Sequence, residues 1–442
     1  MSENLEASAG PGTAAVKRSR SRLLAILGPG LITGASDDDP SGIATYSQAG
    51  ARYGYALGWS LVFTYPLMTA VQMISARIGR TTGRGIAGNL RRYYPNSLVL
   101  AVVALLLVAN VINIGADLGA MADAAKLVIG GPTQLYLLAF AAICALVPVF
   151  MAYARYVAIL KWLTLALLAY IATLALVDVD WGAALAGIAV PRFTWDKGYW
   201  AMIVAIFGTT ISPYLFFWQA GQEAEDTRED AERQPLKTAP HQGPDALQRI
   251  GLDTFVGMAA SNIVALAIIL ATAATLHVAG TTEIETSAQA AEALRPIAGP
   301  YAAILFALGI VGTGLLAVPV LGGSAAYAIG EALRWPVGLA RKPKRAKAFY
   351  GTLVAATLIG ALLNFTPISP MKALYWAAVL NGVVAAPVLV IMMLLSADSP
   401  VEEIVIIKPS QWGGSEMANA FCAYVIANCA TPMLLNCAGS IS

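Results

Sequence analysis

Three consecutive aspartates, Asp37, Asp38 and Asp39, followed by Pro40, Ser41 and Gly42, stand in the middle of an apolar run long enough to cross a bilayer. Carboxylates at membrane depth are costly and mark an ion or proton pathway. Pro40 removes a backbone donor and stops the turn before it, and Gly42 adds backbone freedom. The stretch therefore reads as two half-helices, 23–36 and 43–53, joined by an unwound segment that carries Asp39. Irregular backbone at that depth survives only where protein buries it or a watery cavity receives it.

A second stretch, residues 199–221, repeats the pattern with its break at Gly208, Thr209, Thr210, Ile211, Ser212 and Pro213. Two interrupted apolar segments in corresponding positions of two halves point to a transporter's binding site. The last carbonyls of each first half-helix lack intrahelical donors and carry the negative end of the helix dipole, which favours a cation. The residues alone thus predict a cation site made by Asp39 and the carbonyls around Thr209 and Thr210. The competing reading is a pair of kinked structural helices.

Those breaks must be held by a bundle, and the composition supplies one. The chain is 58% hydrophobic and 12% charged over 442 residues, which describes an all-α polytopic membrane protein. With 28 basic and 26 acidic residues the net charge is +2, and nothing in its distribution suggests a nucleic-acid partner. Only His241 and His277 are present, so a histidine-based metal centre is excluded. The four cysteines have no regular spacing, and HExxH, GxSxG and phosphate-loop patterns are missing. An enzyme reading has no support, no resident cofactor is expected, and neither is an obligate protein partner.

Hydrophobic spans fall at 23–53 and 198–221, both broken, and at 56–79, 98–122, 134–152, 156–177, 253–279, 301–333, 347–364 and 373–396. An eleventh could occupy 416–436, within a tail over 397–442 that holds Cys422, Cys429 and Cys437. The basic tail 1–22 and the arginines and lysines after spans two, four and eight put the N-terminus and every second loop on the cytoplasmic side of the membrane. The polar stretch 222–250 opens with Glu223, Glu225 and Asp226, and reads either as an acidic vestibule gathering cations or as a solvated loop. The loop 279–300 admits the same two readings. Asp117, well inside span three, is a proton acceptor, a lining residue of the path, or a structural aspartate. Asp38, Tyr214 and Asn381 are further candidates for that path, Asn381 as the holder of a bound water, while Asn364 reads as a bond between helices.

The first site resembles the NRAMP family of divalent-metal transporters. Gly28-Pro29-Gly30, Asp39-Pro40-Ser41-Gly42 and Gln48-Ala49-Gly50 match the family's first helix. Ala76-Arg77-Ile78-Gly79, Ala116-Asp117-Leu118 and the broken sixth helix continue the likeness, which spans residues 23–396. It implies a LeuT-type fold of two inverted five-helix repeats, 23–177 and 198–396, with the ion between broken helices 1 and 6.

The departures narrow the substrate. The family's metal-binding Asn falls at Gly42, its Met at Ser212, its sixth-helix His near Gln219 and its third-helix Glu at Ala120. Losing a thioether leaves an all-oxygen site, suited to Mg2+ and Mn2+. Mg2+ dehydrates reluctantly and binds through few carboxylates while keeping several waters. The pattern looks like the NRAMP-related magnesium transporters, with weak or absent proton coupling. Three alternatives stay open: proton-coupled Mn2+ or Fe2+ uptake of the ordinary family type, a cation-coupled organic-solute symporter, and a metal sensor without flux.

Overall fold

The computed structural model describes residues 33, 34, 36–151, 165–229 and 232–397. The basic tail 1–22, most of the first half-helix with Gly28-Pro29-Gly30, the start of span five with Arg155 and Lys161, and the cysteine-bearing tail with its eleventh span lie outside the described residues.

Among the described residues the elements are helical, and eight stretches are long and apolar enough to cross a membrane. The long helices are α1 (Pro40–Tyr53), α2 (Gly58–Thr82), α4 (Asn96–Ile129), α5 (Thr133–Phe150), α6 (Lys197–Thr210), α7 (Pro213–Glu229), α8 (Gly243–Thr272), α9 (Ala302–Ala332), α10 (Lys347–Leu362) and α11 (Pro370–Ala397), with the short α3 (Ile86–Tyr93) after α2. The count of eight joins α1 with α2 and α6 with α7; the fifth expected span is described only from residue 165.

Close approach of backbones holds the broken elements in place. A Cβ at Gly79 of α2 would strike the Ala220 carbonyl of α7, and one at Gly208 of α6 would strike the Ala378 carbonyl and the Gly382 backbone of α11. Small residues at such crossings let helices associate by dispersion where lipid offers no hydrophobic drive. Asn364 makes the expected interhelical bond, its amide donating to the Gly115 carbonyl of α4 at 2.8 Å.

The stretch 222–250 is not a free loop throughout: its first acids, Glu223 and Glu225, are buried, while Glu229 and Glu232 are exposed. Helix α7 runs on to Glu229 and α8 begins at Gly243, so helices take up most of it. Glu223 is fully buried and pairs with Arg249 at 2.5 Å. Glu225 accepts hydrogen bonds from the amides of Leu339 (3.1 Å) and Ala340 (2.6 Å) and from the Tyr327 hydroxyl. Asp226 pairs with Arg233 at 2.7 Å. These acids join α7 to α8 and to the segment after α9. Charge runs in sequence look solvated because the partners that bury them lie far along the chain.

One consequence is measurable. Arg249→Ala strands the buried Glu223 carboxylate, and the desolvation left uncompensated costs about 1–3 kcal/mol. A fall in thermal unfolding temperature in detergent, partly restored in Arg249→Lys, is the expected result. The acids of the stretch 279–300 are tied more weakly. Their ion pairs Arg52–Glu283 (3.9 Å) and Lys372–Glu285 (3.5 Å) are solvent-exposed, where such pairs are worth little.

Candidate functional site

Two prolines make the site. Pro40 has no N–H for the carbonyl four residues back, that of Ser36, and Pro213 likewise leaves the Thr209 carbonyl without its helical donor. The chain bends at Asp38 and leaves the helix at Asp39, and α6 ends at Thr210 before Ser212 and Pro213. Both expected breaks are therefore present. Each orphaned carbonyl finds a hydroxyl: Tyr214 donates to the Ser36 carbonyl at 2.9 Å, and Ser212 donates to the Thr209 carbonyl at 2.9 Å. The first of these bonds runs from one broken helix to the other. Thr33 and Gln219 hydrogen-bond across the same junction, and Thr209 donates to the Tyr46 hydroxyl of α1 at 3.0 Å.

Asp39 is the N-cap of α1, in extended backbone just before Pro40 at the first helical position. Its Oδ1 accepts from the Ser41 hydroxyl and the Gly42 amide, both at 2.7 Å, and its Oδ2 accepts from the Asn113 side chain of α4 at 3.0 Å. These donors fix the carboxylate's rotamer. Gly42 is buried beside it: a Cβ there would stand 3.3 Å from the Tyr46 ring, 3.4 Å from the Asp37 carbonyl and 3.5 Å from Asp39 Oδ1. A Cβ at this position is thus only slightly tight.

The remaining predicted residues divide into those that face the junction and those that brace it. Thr210 turns its hydroxyl back to the Ile206 carbonyl at 2.9 Å, and Ser212 also bonds the Gly208 carbonyl at 2.7 Å, so these hydroxyls brace α6. The Thr209 carbonyl, expected to be free for an ion, is shared with Ser212. Asp117 is wholly buried on α4, feels the charge of Asp39, has the Ser41 amide facing it, and neither carboxylate oxygen completes a hydrogen bond. Asn381 on α11 has a buried amide nitrogen without a partner. Asp37 and Asp38 share one hydroxyl, Ser261 Oγ of α8, at 2.8 and 3.1 Å.

Asn113, Tyr46 and Ser261 were missed as site residues. Asn113 lies one helical turn before Asp117, a spacing that puts both on one face and could have flagged it. Ser261 and Tyr46 carried no comparable signal.

Four buried carboxylates thus gather at two broken helices, and among the described residues no Lys or Arg forms an ion pair with any of them. Buried charge without a partner is costly, and a cation supplied from outside removes that cost. Among the described residues no three His, Cys, Asp or Glu side chains converge as a closed metal cage. What the junction offers a cation is one fixed carboxylate, backbone oxygens and hydroxyls.

A family model described as natural resistance-associated macrophage protein-like matches residues 30–428. Among relatives, the divalent metal cation transporter MntH of Verminephrobacter eiseniae is 27% identical over 380 residues, covering 81% of this chain and 82% of that protein. The MntH of Deinococcus radiodurans is 27% identical over 331 residues, covering 71% of each. The solved manganese transporter of Eremococcus coleocola superposes with a TM-score of 0.67 at 14% identity, covering 96% of this chain and 89% of that one. Mhp1, a nucleobase-cation-symport-1 family transporter, follows at a TM-score of 0.53 and 12% identity, covering 93% and 92%. At these identities the structures speak to the fold, which is the LeuT type. The chain belongs to the Nramp family, the natural resistance-associated macrophage protein-like proteins.

Proposed function

We propose that this protein is a divalent-cation transporter that takes up Mg2+, tolerates Mn2+, and carries the ion partly hydrated between its two broken helices. The observation that carries the reading is the donor set at the junction. Asp39 is a single carboxylate held by three donors, Ser212 offers a hydroxyl already committed to backbone carbonyls, and neither sulfur nor side-chain amide stands at positions 212 and 42. Few direct protein ligands and only oxygen suit a hard ion that keeps its waters. The manganese and divalent-metal substrates of the relatives support the coarser class, transport of a divalent cation.

In this reading Asp39 binds the ion, with the Thr209 and Thr210 carbonyls reached directly or through water. Gly42 and Ser212 set the cavity's width, and Asp38, Asp117, Tyr214 and Asn381 line the approach. The halves 23–177 and 198–396 act as inverted repeats that rock about the ion. The N-terminus is cytoplasmic and the membrane the bacterial inner one. Crossing a potential of 100 mV gives a divalent ion about 4.6 kcal/mol, twice the single-charge value, which drives uptake without protons.

One observation favours a second reading, proton-coupled Mn2+ or Fe2+ uptake. Asp117 is buried beside Asp39 with both oxygens short of hydrogen bonds, where a proton could be held. Proteoliposomes carrying an internal pH dye separate the two. Mg2+ flux without acidification is the expected result; Mn2+ flux with matched acidification and no Mg2+ flux would establish the second.

A further inference from the structure

A cavity of about 640 Å³, inside the range of small-ligand sites, opens away from the ion junction, between the α2–α3 turn, α3, the end of α7 and the segment after α9. Five arginines line it: Arg84, Arg91, Arg92, Arg228 and Arg334. Glu331 is the one acid in the wall, so the lining charge is five minus one, or +4. Both Glu331 oxygens are already taken, by the Gly85 amide at 2.7 Å and the Gly88 amide at 3.0 Å. Among the described residues none of the five guanidinium groups forms an ion pair. Arg91 donates to the Ala332 carbonyl; the others turn no bond inward onto a carboxylate.

Arg334 adds a second, independent observation. It ends α9 in the left-handed region, φ 62°, the one non-glycine residue among those described to do so. The Trp335 amide reaches back to the Gly330 carbonyl at 2.7 Å, the closing bond of a helix C-terminus at which glycine is the easy choice. An arginine there joins the cavity lining at a conformational cost.

We propose that this cavity binds a phosphate-bearing anion. Guanidinium forks match phosphate geometry bidentately, and several around one volume recognise a group with more than one charge. Basic residues on a cytoplasmic face need no ligand for topology, but topology requires neither convergence on one cavity nor an arginine in a glycine conformation. The source of the phosphate is a soluble polyphosphate or the headgroup of an anionic lipid at the membrane surface, since the arginine loops lie where both are reached.

The test uses the purified full chain in zwitterionic detergent, with sodium triphosphate as the probe and no divalent ion present. Triphosphate is expected to raise the unfolding temperature, and calorimetry is expected to give a Kd weakened at least about tenfold in Arg334→Gly and in Arg92→Gln. Arg334→Gly relieves the backbone at that position, so its loss of binding cannot be laid to misfolding. A second arm compares phosphatidylglycerol with phosphatidylcholine vesicles. Stabilisation by triphosphate assigns a soluble anion, and stabilisation by phosphatidylglycerol alone assigns a lipid headgroup. No effect of either probe on the wild type, or an equal effect on Arg334→Gly, overturns the proposal. The outcome does not depend on which ion is transported.

Discussion

Asp39→Ala is expected to lower Mg2+ uptake by reconstituted protein about 100- to 4,000-fold, the range that follows from about 3–5 kcal/mol for removing one partner of a buried charge pair. The substitution removes more than a ligand, because Asp39 also caps α1 through Ser41 and the Gly42 amide. Losing the cap alone costs about 0.5–2 kcal/mol of stability. Asp39→Asn separates the two roles. Its side-chain oxygen can still accept from Ser41 and Gly42, but the charge is gone and its amide meets that of Asn113. Transport lost in Asn as deeply as in Ala, with the unfolding temperature falling mainly in Ala, assigns the carboxylate to the ion. Uptake surviving in both variants would remove Asp39 from the site and the proposed mechanism with it. Tracer Mg2+ flux and thermal unfolding on the same preparations make the comparison.

What the sequence made legible follows from how far each interaction reaches. The two breaks were readable because a proline acts on the carbonyl four residues before it, a purely local event at Pro40 and at Pro213. The place of Asp39 in the first break was readable because it directly precedes Pro40. The second layer was not. Asn113 reaches Asp39 across 74 residues, and Ser261 reaches Asp37 across 224. Each is an ordinary polar residue in an apolar span until the fold brings its partner. The same distance misled the reading of Glu223 and Glu225, whose partners at Arg249, Leu339 and Ala340 turn a seemingly solvated run into buried cross-links. The arginine cavity was hidden differently. Arg84, Arg91 and Arg92 read as topology signals, and Arg228 and Arg334 carry no pattern at all until α7 and α9 end beside α3.

Selectivity should be transferable at two positions. In Gly42→Asn with Ser212→Met the ratio of Mn2+ to Mg2+ uptake is expected to rise about 100-fold, at about tenfold, or 1.4 kcal/mol, for each new ligand. The Asn Cβ has room if the Tyr46 ring, 3.3 Å from its position, yields by a few tenths of an ångström. In the proposed site its amide oxygen then takes a place beside Asp39 Oδ1 that a water of the hydrated ion would otherwise fill. The change at 212 acts twice. A methionine cannot donate to the Gly208 and Thr209 carbonyls as the serine hydroxyl does, so the Thr209 carbonyl is released toward the ion. Its polarizable sulfur also favours the softer metal over Mg2+, which gains nothing from a thioether. The two new ligands together replace waters that Mg2+ sheds reluctantly, so Mg2+ uptake should fall while Mn2+ uptake holds. Competition between tracer Mn2+ and unlabelled Mg2+ in proteoliposomes reads the ratio directly. If the double variant keeps the wild-type ratio, the donor set at these breaks does not choose the ion, and the oxygen-only argument for Mg2+ fails at its root.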